Sequence, residues 1–211
     1  MVRLFASLRL PESVAEHLDS AIRSVEASAP WPSGRGRPAL RWVPAEQRHI
    51  TLAFFGEVPD GAVEDLAGEL AQALRRTPPL PIRLRGAGVF THSVLWVGVQ
   101  ELTSSPHSSS LTLLTRVMAQ CEQIGAPHSL NPDPVAHRGR RRAHVTLARA
   151  RDRRAGADQL RLRAEPLSVY EGPSWHASEA QLVISELGRG RSGGPLHTTL
   201  ERLPLAGELP D

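Results

Sequence analysis

A short pattern written twice constrains this chain more than any other feature. Arg48-His49-Ile50-Thr51-Leu52-Ala53-Phe54-Phe55-Gly56 and Arg142-Ala143-His144-Val145-Thr146-Leu147-Ala148-Arg149 both read His-x-Thr-Leu. In an extended strand successive side chains point to opposite faces, so His49 and Thr51 share one face while Ile50 and Leu52 take the other. The second copy sets His144 beside Thr146 in the same way and turns Val145 and Leu147 into a core. One such strand is an odd thing to build for packing alone. Two of them, 95 residues apart, point to a shared site and to two equivalent lobes facing a cleft.

With 211 residues, 40% of them hydrophobic, the chain can bury one globular core or two closely packed lobes, and it does not read as disordered. Aromatic residues are only 4%, so the core is expected to consist of Leu, Val and Ala. All 25 basic residues are arginine and the formal charge is +3. The planar guanidinium suits phosphate, and eight arginines fall between Arg138 and Arg154, around the second motif. By default that run is a solvated loop surface; so modest an excess favours a polyanion at one site over wholesale coating of nucleic acid. Cys121 is the only cysteine, which excludes an intramolecular disulfide and a cysteine-based zinc site and fits a reducing compartment. The opening run from Val2 to Leu10 is broken by two arginines and too short for a secretion signal, and no stretch approaches membrane-spanning length. The expected setting is cytoplasmic, with a monomer as the default.

Residues 2 to 9 read as a strand, and Pro11 opens a helix whose Val14, Leu18, Ala21, Ile22 and Val25 form one apolar stripe. The Pro- and Gly-rich stretch 29–39 reads as a loop. A short strand near Trp42 precedes the first motif strand, His49 to Phe55. Asp60 is the expected cap of a second helix that turns Leu66, Leu70 and Leu74 inward. Ile82 to Gly86 and Val94 to Val99 read as a hairpin. A serine cluster, 104–110, leads into a third helix carrying Leu114, Met118 and Cys121, and residues 126–143 form a long loop into the second motif. Beyond it, 151–163 reads as a short helix, Ala180 to Glu186 as a strand, 188–194 as a glycine-rich loop and Leu196 to Leu203 as a last strand. This order predicts an α+β fold, a single domain over 1–211 made of two pseudo-symmetric lobes with antiparallel sheets flanked by helices.

The paired motifs, with Arg3-Leu4-Phe5-Ala6 to Leu10-Pro11 at the start, Val94-Leu95-Trp96-Val97-Gly98 before the serines and Ser185-Glu186-Leu187 before the glycine-rich turn, resemble the 2H phosphoesterase superfamily. Within it the likeness is to bacterial and archaeal RNA 2′,3′-cyclic phosphodiesterases, also called 2′-5′ RNA ligases, and it covers nearly the whole chain. It departs at Ala143, where the family usually has proline, and at His197 and Leu203, where tyrosine and tryptophan are more typical.

Hydrolysis of a cyclic phosphate requires a water deprotonated on one side of phosphorus and the departing ribose oxygen protonated on the other. A pair of imidazoles, with an ordinary pKa of about 6.5, serves both roles near neutral pH, so neither a metal nor a cofactor is expected. Thr51 and Thr146 are placed to donate to the non-bridging oxygens. The residues by themselves leave open which histidine is the acid. The resemblance implies His49 as proton donor and His144 as proton acceptor, acting on RNA ends to leave a 2′-phosphomonoester, with 2′-5′ RNA ligation as the reverse. It also implies a phosphate contact for Arg149, although strict alternation turns Arg149 away from His144 unless a bulge intervenes. Phe55 is expected on the His49 face, as a cleft wall or a stacking surface for a base. His197-Thr198-Thr199-Leu200 is a third His-x-Thr-Leu without matching flanks, and we read His197 as a structural or cleft-edge histidine. The remaining histidines form no i, i+4 pair that would suggest a metal site. Two alternatives stand beside the leading reading. One is the same chemistry on a small cyclic nucleotide or a 2′,5′-linked oligonucleotide; the other is a non-catalytic binder of single-stranded RNA, which would tolerate many donors in place of two His-Thr pairs.

Overall fold

A computed structural model of the chain describes residues 1–29, 39–102, 112–130, 142–151, 155–190 and 193–208. The loop at 30–38, the serine cluster and the arginines at 138, 140, 141, 153 and 154 lie outside the described residues. The chain runs β1 (Val2–Arg9), α1 (Glu12–Ser28), β2 (Leu40–Trp42), β3 (His49–Val58), α2 (Val63–Arg75) and the hairpin β4 (Leu80–Phe90) and β5 (Val94–Glu101). It continues through α3 (Leu113–Gly125), β6 (His144–Ala150), α4 (Ala155–Leu167), β7 (Glu171–Ala177), β8 (Glu179–Glu186) and β9 (Leu196–Pro204).

The nine strands form one sheet in the order β7-β4-β5-β6-β3-β1-β8-β9, with β2 added beside β6, and every pairing is antiparallel. Separate lobe sheets were the expectation, and this corrects it: the motif strands β3 and β6 are themselves neighbours, joined at Ile50 and Val145. Four strands lie on either side of that seam. Helix α1 packs on α4 and β7, and α2 on α3 and β9, so each half of the sheet carries one helix pair. The helices cover the face bearing Ile50, Leu52, Val145 and Leu147, all 0–1% exposed. Each of these side chains gains about 1.5–3 kcal/mol by leaving water. The opposite, motif-bearing face is left uncovered at the seam.

Local chemistry explains where the expected boundaries moved. Asp60 does not cap α2; its carboxylate accepts from the N-terminal amine at 2.8 Å, and a 3₁₀ turn over Asp60–Ala62 leads into the helix. Thr112 caps α3 by accepting from Thr115 N–H, and the Glu101 carboxylate accepts from the Leu113 and Leu114 N–H groups. The hairpin turn places Thr91 and His92 at positive φ, which fits the right-handed twist of its strands. Strand β7 gives no strand signal because it contains Gly172 and Pro173, yet it lies at the edge of the sheet, where proline is tolerated. Among the described residues no helix is long and apolar enough to cross a membrane.

Candidate active site

In an antiparallel pair, the residues flanking a matched pair face one another. With Ile50 opposite Val145, His49 therefore lies opposite Thr146, and His144 opposite Thr51. All four side chains line one cavity of about 210 Å³. Its far wall comes from the connection between β8 and β9. Gln47 Nε2 donates to the Pro195 carbonyl at 3.0 Å and Arg41 Nη1 to the Gly193 carbonyl at 3.4 Å, drawing that connection against the segment before β3. Pro195 and His197 thereby reach the cavity, as does Trp42.

The two histidines are held alike. His49 Nδ1 lies 2.8 Å from the Gln47 carbonyl and His144 Nδ1 lies 2.8 Å from the Arg142 carbonyl. A carbonyl only accepts, so each Nδ1–H donates and each Nε2 is left for the cavity. A phenylalanine packs on each ring: Phe5 on His49 at 4.8 Å and Phe90 edge-on to His144 at 4.9 Å. Burial lowers the His49 pKa to about 4, against the upward pull of the Gln47 carbonyl and with help from His197, His144 and Arg149. Burial lowers His144 as well, followed by the opposing pull of the Arg142 carbonyl and the charges of Arg149 and Arg142. The ordinary pKa assumed from sequence holds at neither position.

Bulges decide which residues accompany the histidines. The β5–β6 register skips Leu147 and the β1–β3 register skips Leu52, the same position of the two motifs. Each skip shifts the alternation by one residue. Arg149 therefore comes round to the His144 face and lines the cavity. The equivalent shift puts Phe54 on the His49 face, 6.4 Å from Phe5 and beneath the Arg3 guanidinium at 4.7 Å. Phe55, expected on the His49 face, is instead 3% exposed in the core, and a second skip at Phe55 restores the phase. Its ring lies against Gly125 of α3, where an added Cβ would come within 2.1 Å of it.

Two cavity residues carried little or no sequence signal. Arg41 stands directly opposite Arg149 in the β2–β6 pairing, and both line the cavity. Partial burial, and after it the Arg41 charge, lower the Arg149 pKa. Like charges in directly opposed positions are unfavourable, and only pairing of a three-residue strand reveals the contact. His197 stands where the cleft-edge reading put it, with its ring 5.3 Å from that of His49. Among the described residues, no cluster of three or more His, Cys, Asp or Glu side chains is placed to hold a metal.

Comparison with known proteins follows the same lines. A family model described as the 2′-5′ RNA ligase superfamily matches residues 10–189. A Thermus thermophilus protein named RNA 2′,3′-cyclic phosphodiesterase is 31% identical over 215 aligned positions, covering 98% of this chain and 92% of its own. A Methanothermobacter thermautotrophicus protein of the same name is 27% identical, covering 95% and 97%. A crystal structure of a Thermus thermophilus protein superposes with a TM-score of 0.66 at 25% identity, over 98% of this chain and all of the other. The strand pair with its doubled His-x-Thr, the sheet that surrounds it and this full-length likeness lead to one statement: the chain belongs to the 2′-5′ RNA ligase superfamily.

Proposed function

We propose that this protein is a phosphodiesterase that opens RNA 2′,3′-cyclic phosphate ends to 2′-phosphomonoesters. One observation carries the reading: two imidazoles commit Nδ1 to a backbone carbonyl and leave both Nε2 atoms for one cavity shared with Thr51 and Thr146. The substrate class follows the names of the relatives.

The reaction is an in-line displacement. His144 Nε2 takes a proton from water as its oxygen bonds to phosphorus. His49, protonated at Nε2, gives its proton to O3′ as the P–O3′ bond breaks. Thr51 and Thr146 donate to the non-bridging oxygens as their charge grows, and Arg149 with Arg41 offsets that charge from the side. A 5′-hydroxyl attacking in place of water forms a 2′-5′ linkage as the same P–O3′ bond breaks, an outcome favoured at high RNA concentration. Phe55 has no part in binding, and the chain acts as one domain of two lobes, a monomer in the cytoplasm.

The test is to incubate purified protein with EDTA and RNA bearing a terminal 2′,3′-cyclic phosphate and to identify the monoester formed. Accumulation of 2′-phosphate is expected. Accumulation of 3′-phosphate overturns the assigned leaving group, and tight binding without turnover would support the RNA-binding reading instead.

A further inference from the structure

The carbonyl that holds His144 stands on an irregular piece of chain. On the other motif strand the matching residue, Gln47, ends a 3₁₀ turn over Ala45–Gln47, and its side chain is tied to the Pro195 carbonyl at 3.0 Å. Arg142 and Ala143 belong to no helix or strand. The Ala143 carbonyl ties them to β5 by accepting from the Val99 N–H at 3.1 Å. The Arg142 side chain does so again, with its guanidinium over the Trp96 ring, 4.5 Å from the centroid.

Trp96 is seated to receive this cation. It faces the same side of the sheet as Thr146, its partner across β5 and β6, and Gly88 is its partner on β4. Only glycine leaves it room there, since an added Cβ at Gly88 would lie 2.5 Å from Trp96 Cζ2. The indole is 6% exposed and its Nε1 meets no hydrogen-bond partner among the described residues, so packing alone sets its place. Of the aromatic side chains, tryptophan offers a cation the best face. Phe90 stacks on the same ring at 4.9 Å and meets His144 edge-on at 4.9 Å. Trp96 therefore reaches His144 by two routes, through Arg142 to Nδ1 and through Phe90 to the ring.

We propose that Arg142 and Trp96 are positioning residues for His144, their cation–π contact holding the Arg142 carbonyl on Nδ1–H and so keeping Nε2 bare toward the cavity. Neither residue lines the cavity itself. A neutral imidazole without a partner at Nδ1 populates both tautomers, and only the one with a bare Nε2 can take a proton from water there. The Arg142 charge acts in the same sense, because it contributes to the lowered His144 pKa and so helps keep the ring neutral. The effect on turnover rests on the hydrolysis reading, whereas the tautomer does not.

The test reads tautomer and turnover in the same variants. Arg142 is exposed, so Arg142→Gln leaves the apolar core untouched. At pH 8 both motif histidines are neutral, and NMR of the His144 ring nitrogens in wild type is expected to show a protonated Nδ1 and a bare Nε2, with shifts far apart. In Arg142→Gln the two shifts should move together as the tautomers mix. On RNA ending in a cyclic phosphate, kcat should then fall about tenfold with KM within about twofold of wild type. Arg142→Lys keeps a cation for the indole and should restore most of the lost turnover together with the separation of the shifts. Trp96→Leu should repeat the Arg142→Gln loss, and the double variant should lose scarcely more, because both act through one contact. Unmoved shifts in Arg142→Gln overturn the proposal, as do additive losses in the double variant. A rise in KM in place of the fall in kcat also overturns it, by making Arg142 a contact of the RNA. Failure of the hydrolysis reading looks different: wild type turns over no cyclic phosphate, and the ring-nitrogen shifts of the same variants still decide.

Discussion

At His49 the fold opposes the charge that the proposed general acid must carry. Its ring is enclosed by Phe5 and His197, with Arg149 and His144 adding like charge, and the pKa falls to about 4. In the free protein a protonated His49 beside a neutral His144 is therefore commonest on the acid side of pH 6.5. A bound phosphate anion between the rings favours their charged forms and raises both pKa values. The bell-shaped profile of kcat/KM, which reports the free protein, should peak below pH 6.5, and that of kcat should peak at higher pH. Coincident maxima would mean that substrate does not sit between the rings. His49→Ala and His144→Ala should each remove most turnover, and the double variant scarcely more, because acid and base serve one transition state; fully additive losses in single-turnover assays would contradict a shared step. Arg149→Met should chiefly raise KM, by about tenfold for a charge-assisted contact, and a KM within twofold of wild type would remove Arg149 from binding.

At the scale of strands, the bulges at Leu52 and Leu147 decide which side chains reach the cavity, and they are the part of the site that alternation alone cannot show. Period-two reading places His49, Thr51, His144 and Thr146 correctly because no bulge precedes them in either strand. It fails one residue later, exchanging Phe54 with Phe55 and turning Arg149 the wrong way. The family likeness pointed to Arg149, which lines the cavity, whereas the Phe55 reading came from alternation alone and failed with it, since only pairing carries phase. The exchange is testable by stability. Phe55→Ala should cost about 3–5 kcal/mol, as for other aromatic truncations in a packed core. Phe54 is 39% exposed beneath Arg3, and Phe54→Ala should cost about 1 kcal/mol or less. Urea denaturation of the two variants decides it, and equal losses would place both rings in similar surroundings. Helix boundaries moved for related reasons: the acid at Asp60 found the N-terminal amine, and the α3 N-terminus found Glu101 from the preceding strand.

At the scale of the molecule, helix stripes and strand runs made the α+β class legible. The single sheet was not legible, because the β3–β6 neighbourhood rests on one long-range pairing between motifs that local pattern does not connect. That pairing also brings two imidazoles, Thr51 and Thr146, all partly buried, to the seam of a sheet whose edge connection returns across them. The burial of His49 has a cost that the whole fold carries. Unfolded, its pKa returns to about 6.5. Between pH 6.5 and about 4 the unfolded chain therefore binds more protons at this residue than the folded one, so stability rises with pH across that window. The contribution is fully present above pH 6.5, falls as pH drops, and is constant below about pH 4; the lowered pKa values of His144 and His197 act in the same sense. His49→Asn keeps a polar group in the site but cannot take the proton. Its urea midpoint should fall less than that of wild type between pH 7 and pH 4, by the equivalent of a few kcal/mol, with carboxylate titration common to both proteins. Equal falls would show that the His49 ring is as wet in the folded chain as in the unfolded one, and the acid-shifted kcat/KM profile would fail with it.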